Sequence, residues 1–200
     1  MSTHFVAIPS VIVVVLCHLS EPAVSMQLPL RPEVFGNVGW MKAAGDEGGL
    51  GSGLLVGGGA VVPIGERLGM DVDVSTVGTQ LNSTPSEAFQ LRRTFVAPSI
   101  VRRWGSNQTY AFAGAGIGLE NSRRVSRSSN VLPGFRPPNS QEVSPGLFEF
   151  RSTDTGASLV LRAGIVREIS HRALIRFDML WSQRLVLPNI GLRIGLGFRF

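Results

Sequence analysis

Cysteine and histidine are scarce in this 200-residue chain. Cys17 is the single cysteine, so a disulfide framework is excluded. The three histidines, His4, His18 and His171, form no pair at metal-ligand spacing. Only 16% of the residues are charged and 44% are hydrophobic, which excludes a disordered chain. The length fits one folded domain whose stability comes from a core or a sheet.

Lysine is nearly absent although the chain is basic. Lys42 is the only lysine, and the other basic residues are arginines, with a formal net charge of +5. Most of these arginines stand singly inside apolar segments, and no recognition helix or aromatic and basic ribbon is visible. We therefore expect no nucleic-acid partner and interpret the arginines as the polar face of strands.

The amino terminus contains the one long apolar run, from Phe5 to Leu16. Its 12 residues are too few to span a bilayer as a helix but fit the hydrophobic region of a secretory signal. We predict a signal peptide over residues 1–25 and a linker over 26–32. No lysine or arginine precedes the run, and the alternative is a buried strand at the start of a soluble domain.

Helical periodicity is missing from residues 33–200, which alternate with a period of two. At the carboxyl terminus, apolar residues from Leu192 to Phe200 alternate with glycine and arginine. We predict one β domain over 33–200 with eight strands: Glu33–Met41, Gly51–Ile64, Leu68–Val77, Arg92–Trp104, Thr109–Glu120, Gly156–Ile169, Ala173–Gln183 and Gly191–Phe200. The fourth strand is interrupted by Pro98, which predicts an edge or a bulge.

Short and long connections alternate along these strands. The tight turns are 65–67, 105–108 and 170–172, and the longer, more polar connections are 42–50, 78–91, 121–155 and 184–190. This rhythm is typical of an up-and-down barrel with turns at one rim and loops at the other. The sequence therefore predicts an all-β fold, an eight-stranded antiparallel up-and-down transmembrane β-barrel.

The strand count, the loop asymmetry, the strand Ala113–Gly118 and the ending Gly-Leu-Gly-Phe-Arg-Phe carry a family resemblance. Residues Glu33 to Phe200 resemble the small eight-stranded outer-membrane barrels of Gram-negative bacteria, of the OmpA transmembrane-domain and OmpX type. The resemblance implies an integral outer-membrane protein in contact with outer-membrane lipid and lipopolysaccharide. It also implies that Leu196, Phe198 and Phe200 form the signal read by the barrel-assembly machinery.

The interior of an eight-stranded barrel is only wide enough to be filled by side chains. The polar face must supply this filling, and buried charges there must be paired. We expect a lumen charge network and no conducting pore. Its members are Asp71, Asp73, Glu120, Arg162, Glu168, Arg176, Asp178, Arg193 and Arg199.

Alternation alone leaves a second arrangement open. A soluble, secreted or periplasmic lipocalin-like barrel would point Leu192, Ile194 and Phe198 inward around an apolar ligand and would expose Arg193 and Arg199 to water. The apparent export signal, the loop lengths and the glycines of the polar face favour the membrane barrel.

Catalysis is not expected, and neither is a cofactor or a metal. His171 is the only histidine after the predicted signal and falls in a short turn, which in this topology is the periplasmic rim. Within the 35-residue connection 121–155, Arg123, Arg124 and Arg127 form a possible anion-binding surface for lipopolysaccharide phosphates or a host surface. The alternative is a solvated, flexible loop. We predict a monomer with a structural, envelope-maintenance or surface-interaction role.

Overall fold

The computed structural model describes residues 31–43, 53–84, 87–128, 140–184 and 187–200. The predicted signal peptide and most of both the linker and the first long connection lie outside these ranges. No helix among the described residues is long and apolar enough to cross a membrane. These residues form nine β-strands: β1 (Glu33–Ala43), β2 (Gly53–Pro63), β3 (Leu68–Thr84), β4 (Glu87–Gly105), β5 (Thr109–Ser128), β6 (Ser140–Ser144), β7 (Leu147–Glu168), β8 (Ala173–Arg184) and β9 (Leu187–Arg199).

Eight of the strands close into an antiparallel ring. Strands β1 to β5 each pair with the next along the chain, β5 then pairs with β7, and β7 to β9 continue the sequence. The ring closes where β9 pairs with β1, from Glu33 opposite Arg199 to Ala43 opposite Asn189. Closure leaves the body of the sheet without an open edge, which is what a sheet in hydrocarbon requires. The predicted up-and-down barrel is confirmed.

The strands extend further than predicted at the loop end of the barrel. Strands β3, β4, β5 and β7 continue well beyond the predicted ends, so most of 78–91 and 121–155 is strand rather than loop. The short strand β6 pairs with the start of β7 as a hairpin, and Gly146 takes a φ of 75° in its turn. Both faces of these extended segments carry polar residues, so the apolar alternation that reveals a strand fades there. We call this region, residues 121–128 and 140–155, the extension.

Pro98 marks neither an edge nor a bulge. It lies within β4 with its side chain exposed on the outer surface, and the register with β5 is the same on both sides of it, from Val96 opposite Leu119 to Ser99 opposite Gly116. A Cβ at Gly116 would overlap the Pro98 carbonyl oxygen. The close approach of the two strands at this point therefore depends on glycine.

Candidate functional site

The outer surface of the barrel is apolar. Large hydrophobic side chains on every strand of the ring point outward, and Leu192, Leu196 and Ile117 are 65%, 66% and 66% exposed. Soluble monomers rarely expose a contiguous apolar surface of more than a few hundred Å². The structure therefore decides the facing that alternation left open, with the apolar side chains outside and the polar side chains inside.

The middle of the interior is a network of three aspartates and three arginines. Arg193 contacts Asp178 through Nε and Nη2, each at 2.7 Å, and Asp73 through Nη1 at 2.7 Å. Arg176 Nε donates to Asp178 at 3.0 Å, and its Nη2 donates to Asp71 at 2.8 Å. Arg162 Nη1 lies 2.5 Å from the other oxygen of Asp71. All six side chains are buried, and the network joins four strands: β3, β7, β8 and β9.

Arg176 is also held between two aromatic rings. Its guanidinium carbon lies 4.2 Å from the ring centroids of both Phe35 and Phe112. A desolvated cation against an aromatic face is stabilised by about 2 kcal/mol or more. The two rings therefore fix Arg176 in place while its nitrogen atoms contact the aspartates.

A second group of charges lies near the turn end of the barrel. Arg199 donates to Glu33 from Nη2 at 2.9 Å and to Glu168 from Nη1 at 2.8 Å. The Tyr110 hydroxyl donates to the second oxygen of Glu33. Arg103 is 1% exposed, and its guanidinium has no hydrogen-bond partner among the described residues, although it lies 5.8 Å from the Tyr110 ring centroid.

A third, smaller group lies toward the loop end. Arg93 Nε is 3.6 Å from Glu120, and Arg93 Nη1 donates to the side-chain oxygen of Asn189 at 2.7 Å. Together the three groups contain six acids and six arginines among the described residues, and each group by itself is neutral. Local neutrality is the arrangement that burial of charge in a low-dielectric interior requires.

The structure thus places all nine residues of the predicted lumen network inside the barrel and adds three that the sequence reasoning omitted. These are Glu33, Arg93 and Arg103. Glu33 falls on the same strand face as Asn37, which was a usable signal. Arg93 and Arg103 share one face of β4 with Phe95 and Val101, so the sequence of this strand shows no consistently polar face.

Two buried apolar clusters separate these charged groups. The cluster nearer the turn end contains Phe35, Val61, Val101, Tyr110, Phe112, Val166 and Leu174. The cluster nearer the loop end contains Met41, Leu55, Val77, Phe95, Ala97, Val160 and Leu180. A cavity beside Glu33, Phe35 and Arg176 measures about 10 Å³, about the space of one water molecule. Among the described residues, apolar clusters and ion pairs fill the interior where a lipocalin-like carrier would hold its ligand, so this alternative is not supported.

The three arginines of the predicted anion-binding loop lie on β5 rather than in a loop. Arg123 and Arg127 share one face of the strand, and Arg124 lies on the other. Arg127 Nη2 is 3.1 Å from Glu149, and Arg151 Nη2 is 2.7 Å from the other oxygen of the same carboxylate. Hydrogen bonds from Arg151 and Arg127 lower the pKa of Glu149 below its ordinary value. The structure therefore separates the three residues, and one of them is already engaged by an acid.

The residues of the predicted assembly signal lie together on the outer face of the last strand. Leu196, Phe198 and Phe200 are all exposed, and the rings of Phe198 and Phe200 meet edge to face at 5.4 Å. The Phe200 amide donates to the Pro32 carbonyl at 3.1 Å, and Arg172 lies over the Phe198 ring at 6.0 Å. The chain terminus is thus held against the start of β1.

Comparisons with known proteins show the fold. Neither a family model nor a curated protein sequence matches the chain. Among solved structures, it is similar to Neisserial surface protein A (TM-score 0.57, 16% identity, covering 84% of this chain and 97% of that one). It is also similar to Ail of Yersinia pestis (TM-score 0.55, 13% identity, covering 84% of this chain and 98% of that one). A third similar structure is the outer-membrane protein OprG of Pseudomonas aeruginosa (TM-score 0.56, 8% identity, covering 88% of this chain and 99% of that one). The chain therefore has the fold of the small outer-membrane β-barrels, as the sequence resemblance predicted.

Proposed function

We propose that the protein is an integral barrel of the Gram-negative outer membrane, with a structural, envelope-maintenance or surface-interaction role and no enzymatic activity. The observation that carries the proposal is the facing of the barrel wall. Apolar side chains cover its outside and paired charges fill its inside. Only hydrocarbon makes the outer surface favourable, because exposing it to water costs about 25 cal/mol per Å².

Membrane fractionation and gel mobility test this location. We expect the mature chain to be extracted from cells by detergent and not released by osmotic shock. We also expect an unboiled sample to migrate differently from a boiled one, because a closed barrel stays folded in detergent. Release by osmotic shock with one mobility for both samples would contradict the proposal.

The filled interior supports a role other than that of a large open pore. Two apolar layers lie across the lumen, and the arginines between them are bound to carboxylates. We expect the purified full chain in planar bilayers to give no large, stable conductance. A conductance of porin size, abolished by boiling the sample first, would show that the interior opens.

Assembly into the membrane is proposed to depend on the last strand. Phe200 is 61% exposed on the outer face, where burial within the protein cannot explain an aromatic residue. We expect deletion of Phe200 to reduce the heat-modifiable protein in the outer membrane while export and signal processing continue. A matched control is Phe177→Ala, which removes another outward aromatic that is 51% exposed on β8. Wild-type levels of the folded protein after the deletion would contradict the assembly signal.

The surface-interaction part of the proposal rests on arginines that lie beyond the apolar outer surface, toward the loop end of the barrel. Arg92, Arg123, Arg127 and Arg151 are all exposed on the outward side of three adjacent strands, with Glu149 as the acid between two of them. One protein of similar fold, Ail, has been determined in complex with sucrose octasulfate, a heparin analogue. Positive charge on this side supports contact with an anionic surface, and we expect the folded barrel to bind as a monomer.

A further inference from the structure

The outward side chains of β3, β4, β5 and β7 change character in successive rows. Val74, Val96, Leu119 and Ala157 are aligned across the four strands and form an apolar row. The next row toward the loops is Thr76, Thr94, Asn121 and Thr155. Hydrogen bonds link its members, with 3.3 Å between the two threonine hydroxyls of β3 and β4 and 2.8 Å from Asn121 to Thr155. The apolar surface therefore ends at this polar row.

The row above it brings two arginines together. Arg92 on β4 and Arg123 on β5 are directly opposite each other in the antiparallel pair, and both are exposed. Side chains in this position have Cβ atoms about 4.5 to 5.5 Å apart, and like charges there are destabilising. A protein gains nothing in stability from this pairing by itself.

No acid among the described residues compensates the pair. The aligned outward neighbours are Thr94 and Asn121 on one side and Thr153 beyond Arg123. The carboxylate that this face carries on β7, that of Glu149, is buried between Arg127 and Arg151 and bound by both. Arg92 and Arg123 thus face outward together without a counter-ion from the described part of the chain.

The height of the pair matches a membrane boundary. Arg102 also points outward on β4, ten residues after Arg92 and close to the turn end of the strand, and its guanidinium lies 5.6 Å from the Trp104 ring centroid. Ten residues of strand extend about 33 Å, or about 25 Å along the membrane normal at the tilt of such barrels. This is the height of the apolar band of an outer-membrane barrel. Arg92 and Arg123 therefore lie at the level of the headgroups on the loop side.

We propose that Arg92 and Arg123 together bind a phosphate group of a glycolipid in the outer leaflet. The inference rests on the proposed membrane location, since long loops face the cell exterior in such barrels. Two guanidinium groups on adjacent strands can each donate paired N–H bonds to one phosphate, which removes their mutual repulsion. Arg124 is excluded because it lies on the other face, and Arg127 is excluded because Glu149 occupies it.

The test measures binding of bisphosphorylated lipid A to the full chain folded in a non-ionic detergent. Folding of every sample is first verified by heat modifiability, so that failure of the barrel itself is recognised separately. The variant is Arg92→Gln with Arg123→Gln, and the matched control is Arg124→Gln, which removes an arginine next to Arg123 from the opposite face. Dephosphorylated lipid A, inorganic phosphate and a soluble polysulfated sugar are tested as competitors.

We expect the double variant to bind at least tenfold more weakly than the wild type and the control to remain within twofold. Dephosphorylated lipid A should compete poorly, and added salt should weaken binding because the pair is exposed. Equal affinity of the wild type and the double variant would overturn the site. Tighter binding of the polysulfated sugar or of inorganic phosphate than of lipid A, through the same two residues, would overturn the lipid as the ligand.

Discussion

Arg193 in the barrel interior and Arg123 on its outer surface carry the same charge in opposite surroundings. Arg193 uses three nitrogen atoms to contact Asp73 and Asp178, and its side chain is fully buried. Arg123 is exposed, and its aligned neighbour on β4 is a second arginine. Burial forces an arginine to bring its counter-ions with it, whereas exposure allows the counter-ion to come from another molecule. Position relative to the barrel wall therefore decides whether an arginine must find its counter-ion within the same chain.

Removing one carboxylate from the interior should have the largest effect on stability, because the buried arginines depend on it for charge compensation. Asp178 accepts hydrogen bonds from both Arg176 and Arg193. We expect Asp178→Ala to lower the free energy of unfolding by about 3 to 5 kcal/mol, because two buried guanidinium groups lose their shared partner. Urea titration in lipid vesicles measures the change. Glu66→Ala, at an exposed turn, is the matched control, and equal small losses at both sites would mean that the interior is solvated.

Placing an arginine on the lipid-facing side tests the opposite half of the comparison. Leu196 is exposed on β9 between Ile194 and Phe198, within the apolar surface. We expect Leu196→Arg to cost about 2 to 4 kcal/mol if the site is near the midplane of the bilayer. The same titration applies, with Val143→Arg on the exposed strand β6 as the control. An unchanged free energy of unfolding in Leu196→Arg would contradict the proposed contact of this side chain with lipid.

Weakening the aromatic support of one interior arginine should have a smaller effect. Phe35 covers one side of the Arg176 guanidinium at 4.2 Å. We expect Phe35→Leu to cost about 1 to 2 kcal/mol, from the lost cation and ring contact and the small void that remains. Phe177→Leu on the outer surface should cost less, since that ring does not cover a buried charge. An equal or larger loss for Phe177→Leu would contradict the stabilisation of Arg176 by the Phe35 ring.

The smallest effect is expected in the extension, where the arginines Arg127 and Arg151 that pair with Glu149 are accessible to water. The pKa of Glu149 is lowered from 4.5 by Arg151 and Arg127, so the folded state binds its proton less readily than the unfolded state does. The resulting stabilisation is present above pH 4.5 and is lost as the pH falls through the lowered value. The protection of β6 amides against hydrogen exchange, corrected for the intrinsic pH dependence of exchange, should fall over that range. Glu149→Gln should abolish the pH dependence. Exchange that responds neither to pH nor to this substitution would contradict the assignment of the effect to Glu149.

The sequence revealed the strands only where one side of them is apolar. From Leu192 to Phe200 the alternation was unbroken, and the last strand was located to within a few residues. In Asn121–Ser128 and Leu147–Thr155 both sides of the strand are polar or mixed, so the same reading produced a 35-residue connection where the structure has strands. The pattern depends on what each side of a strand touches, and above the apolar surface neither side touches hydrocarbon.

The sequence by itself determined the number of barrel strands, their two unlike sides and the approximate positions of the turns. These are local properties, because successive side chains of a strand point to opposite sides and turns depend on a few residues. Only the tertiary structure decided which side is inside and which charges meet. Asp71 and Arg176 are 105 residues apart in the chain and contact each other across the lumen, and Arg92 meets Arg123 through strand register. Such contacts are set by closure and by the stagger of the strands, which no local stretch of sequence contains.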